Sequence, residues 1–134
     1  MESRNKRCSS GLIVALAAIL LAACASDPTP APAPTLDPES AAGRGLRLFE
    51  ANCAACHAIE DGVVLSGPPL AHIALIAESR IEGMTAEDYL RESIVNPNAY
   101  AIRGYQTGLM RQDFGRTLTS DNVSDIVAYL MTLK

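Results

Sequence analysis

The sequence predicts an all-α domain, and three observations carry that expectation. Val123, Ile126, Val127, Leu130 and Leu133 recur at helical spacing near the C-terminus. Asp37-Pro38-Glu39 and Thr85-Ala86-Glu87-Asp88 both read as helix starts, each with a side-chain oxygen at the cap and acids in the first turn. No stretch alternates apolar and polar residues for long enough to make a convincing strand.

In chain order, the first helix is expected to open at Asp37, with Pro38 in its first turn, and to run to about Asn52. Gly45 and Phe49 fall four apart on one face, with Leu46 and Cys53 close to it. A mid-helix glycine costs about 0.5–1 kcal/mol relative to alanine, so close approach of another helix is the expected reason for it. Ala58–Pro69, with Gly62 and Gly67, reads as a loop, and Leu70–Ser79 as a short, weak helix. The Thr85 helix carries Tyr89, Leu90 and Ile94 and stops at Asn96-Pro97. Residues 98–118 show no sustained period and read as an ordered loop. The last helix starts near Ser120-Asp121, with Lys134 at its negative dipole end.

The N-terminal part has a different character. Arg4, Lys6 and Arg7 precede an uncharged apolar run from Leu12 to Ala23, a secretory leader pattern shorter than the roughly 20 residues a spanning helix needs. Leu21-Ala22-Ala23-Cys24 resembles the bacterial lipoprotein cleavage box, which implies removal of residues 1–23 and lipidation of Cys24. Two acyl chains would anchor such a protein stably. Cleavage beside Cys24 that releases a soluble domain stays open as an alternative, and so does an uncleaved anchor. Residues 24–38 hold five prolines and read as an extended tether, leaving 39–134 as the folded domain. The chain has a formal charge of −4. Losing residues 1–23 removes one acid and three bases and leaves −6, so nucleic acid is not an expected partner.

Aromatic residues make up only 4% of the chain and tryptophan is absent, which leaves a small domain short of core bulk. Cys53-Ala54-Ala55-Cys56-His57 suggests what supplies it. Two thiols three residues apart can both add to the vinyl groups of one haem, and the adjacent histidine can then ligate the iron. That attachment takes place outside the cytoplasm, which agrees with the leader. A zinc site would need further Cys or His ligands, and the only other histidine is His72. A redox dithiol would want a βαβ setting.

From about Ser40 to Lys134 the chain resembles a class I monohaem cytochrome c. The resemblance rests on Gly45 and Phe49, on Cys53–His57, on Gly67-Pro68-Pro69-Leu70, on Gly108-Leu109-Met110 and on Ala128-Tyr129-Leu130, in that order. It implies a cytochrome c-like fold with crossed N- and C-terminal helices around one covalent haem c. Gly45 and Phe49 would meet the Ala128-Tyr129 face, the Pro68 carbonyl would hold the free N–H of His57, and Met110 would be the second iron ligand. For that ligand Met84, His72 and an open iron remain alternatives. The family often has proline after the methionine, where this chain has Arg111. Arg80, Tyr105 and Asn98 are candidate partners for the haem propionates.

With both axial positions filled the domain would be an electron carrier, or an electron-transfer subunit of a larger oxidoreductase, rather than an enzyme in its own right. The resemblance implies a donor such as a quinol-oxidising complex and an acceptor such as a terminal oxidase or reaction centre. The expected place is the extracytoplasmic face of a bacterial membrane, reached through lipidated Cys24. A vacant sixth position would instead make it a peroxidase-like enzyme or a ligand sensor. Arg103, Arg111 and Arg116, opposed only by Asp113, predict a locally positive docking face.

Overall fold

The first helix begins where a hydroxyl can cap it. The computed structural model describes residues 35–134, and within them Asp37–Ser40 form a turn, with Glu39 N donating to Asp37 Oδ1 and Ser40 N to Asp37 O. Helix α1 (Ala41–Asn52) follows, and Ser40 Oγ accepts from Gly43 N at 3.0 Å. The cap is therefore Ser40, three residues beyond the Asp37 expected from the sequence. Asp37 spends its carboxylate on the preceding turn, and Gly43 lets that turn lie on the helix, since a Cβ there would sit 2.8 Å from Pro38 Cα. The leader, Cys24 and the tether up to residue 34 lie outside the described residues.

Four more helices follow: α2 (Ile73–Glu78), α3 (Ala86–Val95), α4 (Phe114–Thr117) and α5 (Ser120–Leu130). No strand occurs among the described residues, as the sequence predicts. Thr85 caps α3 by accepting from Asp88 N at 3.1 Å, while Asp88 reaches only as far as the Thr85 hydroxyl, at 2.8 Å. The shorter acid thus makes half of a capping box. Asn96 closes α3 ahead of Pro97. α5 carries a complete box, with Thr119 Oγ1 accepting from Asn122 N and Asn122 Oδ1 from Thr119 N.

Two further sequence expectations need correction. The segment 98–118 is not all loop, because α4 forms a single turn in it. Four residues that include Gly115 carry too little periodicity to show in the sequence. α5 also stops at Leu130, so Leu133 and Lys134 lie beyond it and no basic residue occupies its last turn. The tail instead turns to α2, where Ala74 N donates to Leu133 O at 3.1 Å.

The crossing of α1 and α5 is the most extensive helix contact, and α3 packs against α2, α4 and α5 around it. A Cβ on Gly45 would lie 2.5 Å from the Asp125 carbonyl carbon and 2.9 Å from Tyr129 Cβ. Phe49 and Tyr129 meet at 5.3 Å between ring centroids, tilted by 54°. Phe49, Val123, Ile126, Val127 and Leu130 are all buried at this seam. At about 1.5–3 kcal/mol for each large side chain, their burial far outweighs the cost of one helical glycine. Arg44 fastens the edge of the crossing, its Nε and Nη2 donating to the two oxygens of Asp125 at 2.8 and 2.7 Å. That pairing holds the Asp125 carboxyl below the usual range and raises the Arg44 guanidinium. Among the described residues no helix is long and apolar enough to cross a membrane.

Candidate functional site

Away from the α1–α5 crossing, the end of α1, residues 66–70, α3 and the segment 97–111 wall a cleft. It encloses about 1500 Å³, part of it open to solvent. Phe49, Leu70, Ile73, Leu90, Ile94 and Phe114 give it apolar walls. Cys53, Cys56, His57, Pro68 and Met110 all line it, so the residues singled out in the sequence meet in one place. Cys24 lies outside the described residues.

The thiols and the histidine leave the end of α1 on one turn: Cys53 N donates to Phe49 O, and Cys56 N and His57 N both donate to Cys53 O at 3.0 Å. Cys53 is half-buried and Cys56 exposed, and the two form no disulfide. Burial, and secondarily the neighbouring Cys56, push the Cys53 thiol up to about 11. Among the described residues no group of three or more His, Cys, Asp and Glu could hold a metal ion, so the zinc alternative finds no further ligands.

The histidine is held by backbone. Gly67 N donates to Cys56 O at 2.8 Å and Leu70 N to Ala58 O at 2.7 Å, which pins residues 67–70 across the Cys53–His57 turn. The Pro68 carbonyl then lies 2.8 Å from His57 Nδ1. A carbonyl only accepts, so Nδ1 carries the proton and Nε2 keeps its lone pair for a ligand. Gly67 makes this approach possible, because a Cβ there would stand 2.6 Å from His57 Cε1 and 2.8 Å from Nδ1. The resemblance pointed to Pro68, whereas the steric role of Gly67 emerges only from the structure.

The alternatives to Met110 are engaged elsewhere. Tyr100 Oη donates to Met84 Sδ at 3.4 Å. His72 Nε2 sits 3.0 Å from Asp61 Oδ1, and this carboxylate, with a backbone contact at Lys134, raises its pKa. Arg80 and Tyr105 line the cleft as expected of propionate partners, but Asn98 does not. Its side chain is committed to Gly108 and Gln112. In the predicted positive cluster, the one opposing acid, Asp113, pairs with Arg111 through two 3.0 Å contacts, and Arg111 lies over the Phe114 ring, 4.9 Å from its centroid.

One residue the sequence reading passed over bears on the fit of a bound group. Ser93 Oγ is the buried side-chain polar atom without a hydrogen-bond partner among the described residues, and Ser93 lines the cleft. A lone buried hydroxyl is costly unless a bound group satisfies it. The signal was its register on α3, where Ser93 falls on the apolar face with Tyr89, Leu90 and Ile94. Roomy apolar walls, paired thiols, a prepared imidazole and an orphaned hydroxyl all fit a large apolar ring system with a polar edge.

These features define a helical domain built around a covalently held prosthetic group. The cytochrome c family model matches residues 42–134, and the chain belongs to the cytochrome c family. Membership brings one covalently bound haem c, haem-based electron transfer and redox proteins as partners. Comparison with curated proteins finds no match.

Proposed function

We propose that this chain is a six-coordinate, membrane-anchored electron carrier, in which His57 Nε2 and Met110 Sδ would hold the haem iron. Cys53 and Cys56 would form the thioether links. The observation that carries the reading is the His57 Nδ1–Pro68 O bond at 2.8 Å, which presents a ligating nitrogen to a cleft that Met110 also lines. Haem, when bound, supplies one-electron exchange at iron. The chain's own residues set how easily that exchange runs. Pro68 fixes the imidazole's orientation and strengthens it as a donor. Phe49, Ile73, Leu90, Ile94 and Phe114 exclude water and disfavour the oxidised state, which carries one more positive charge. A thioether ligand shifts the balance the same way, so the reading is of a fairly high-potential carrier.

Carbon monoxide tests this directly. The reduced protein should not bind it, and the oxidised protein should show the weak long-wavelength band of methionine-to-iron coordination. Met110→Ala should lose the band and bind carbon monoxide. Ready binding by the unaltered protein would instead support the peroxidase-like or sensor alternative with an open sixth position.

The proposal places the domain on the extracytoplasmic face of a bacterial membrane, held by lipidated Cys24 and swinging on the proline-rich segment. It would take electrons from a quinol-oxidising complex and pass them to a terminal oxidase or reaction centre. The leader pattern and the Leu21–Cys24 box support this. Cells fed a labelled fatty acid should yield labelled protein, and failure of Cys24 to take the label removes the tether. Extraction in mild detergent separates the two arrangements: release alone indicates a swinging carrier, and a stable multi-subunit complex a fixed subunit.

A further inference from the structure

The Met110 segment lacks a stiffening proline, and Arg111, which stands in that place, is engaged by Asp113 and the Phe114 ring. Its order comes from two amide side chains. Gly108 N donates to Asn98 Oδ1 at 2.9 Å, Asn98 Nδ2 to Gln112 Oε1 at 2.7 Å, and Gln112 Nε2 to Met110 O at 2.6 Å. Only one set of amide orientations satisfies this chain. The Gly108 N–H can only donate and the Met110 carbonyl can only accept, so both flips are fixed from the ends. The chain starts two residues before Met110 and ends on its carbonyl, spanning the ligand. It is anchored at Asn98, just past the end of α3, where Ala99 N donates to Asn96 O at 2.9 Å. Gly108 has φ +84°, so its N–H is aimed by a backbone conformation that other residues rarely adopt.

We infer that Asn98 and Gln112 are positioning residues that hold the Met110 sulfur against the cleft, in place of the missing proline. The inference rests on the reading of Met110 as the distal ligand. All three bonds are at the surface, and losing them shifts the local equilibrium between a closed and an open Met110 segment.

Imidazole titrated into the oxidised holoprotein reads that equilibrium, because it can bind iron only when the sulfur is off. Its apparent affinity rises in proportion to the open fraction. Met110→Ala should bind it most tightly. Asn98→Ala and Gln112→Met should each bind it about three- to tenfold more tightly than the unaltered protein, the range expected for losing one or two modest hydrogen bonds. The double variant should bind little more tightly than either single one, since both break the same chain. Asn98→Asp, which keeps the Gly108 bond but loses the donor to Gln112, should fall between and covers the case in which alanine fails to fold. Melting of the Asn98 and Gln112 variants should fall by no more than about 5–10 °C, the shift that the same loss of closed-state stability gives in a domain of this length. Tightening accompanied by a much larger loss of global stability than that overturns the positioning role. So does unaltered imidazole affinity in Asn98→Ala and Gln112→Met while Met110→Ala binds tightly. If Met110→Ala itself binds imidazole no better, the distal-ligand reading and this inference fall together.

Discussion

Gly45→Ala should destabilise the domain by about 3 kcal/mol or more, although alanine is the better helix former by about 1 kcal/mol. The two effects have opposite signs, so the experiment decides between them. In an isolated helix the added methyl would help. At the α1–α5 crossing it would overlap the Asp125 carbonyl and approach Tyr129 Cβ to 2.9 Å. Backbone on the far side cannot swing away as the end of a flexible side chain can, so the helices must separate. Separation would also strain the Arg44–Asp125 pairing and the Phe49–Tyr129 contact, which depend on the same approach. A loss of this size corresponds to roughly 12–24 °C in Tm for a domain of this length. Gly83→Ala is the matching control. Its φ is +78° and nothing lies within 4 Å of the new methyl, so only backbone strain of about 1 kcal/mol is expected. Thermal unfolding of both variants, followed by circular dichroism, is the measurement. Equal losses would show that the crossing tolerates a side chain at Gly45.

The contrast between these two glycines shows what the sequence could reveal. Gly45 and Phe49 were readable as a close crossing because their spacing, with a resemblance to order it, names a face of one helix. The α5 period was readable because the buried residues themselves repeat. Cys53, Cys56 and His57 were readable because the chemistry is local, and local spacing is what a sequence records directly. Arg44 and Asp125 stand 81 residues apart, and nothing in either neighbourhood pairs them before the helices cross. The Asn98–Gln112 chain has the same character: its members are ordinary loop amides until Gly108 and Met110 are brought between them. Ser40 displaced Asp37 as the first cap because both can accept from a helix N–H, and the choice follows from which of them the preceding turn occupies. Arg111 was legible as a departure from the family pattern, but its pairing with Asp113 and the amides that stiffen the segment instead were not.

Gly67→Ala should raise the reduction potential without releasing the haem. The glycine has an ordinary backbone conformation, so alanine adds a methyl and no torsional strain. That methyl would lie 2.6 Å from His57 Cε1, and either the imidazole or the 67–70 segment must move. The backbone there is held by the Gly67–Cys56 and Leu70–Ala58 bonds, so the ring gives way and its 2.8 Å bond to Pro68 lengthens or breaks. On the proposed ligation, the imidazole without that bond would donate less to iron, and the oxidised state, which depends more on a strong donor, would lose more than the reduced one. A tenfold change in that preference corresponds to an upward shift of about 60 mV for one electron. The direction distinguishes this mechanism from loosening of the fold. Water admitted to the apolar cleft would favour the more highly charged oxidised state and lower the potential instead. On the same proposal Cys53 and Cys56 would keep the haem attached in either case, so the visible spectrum should persist and redox titration can be read in both forms. A downward shift would assign Gly67 to packing alone, and an unchanged potential would mean that the Pro68 bond does not tune the iron.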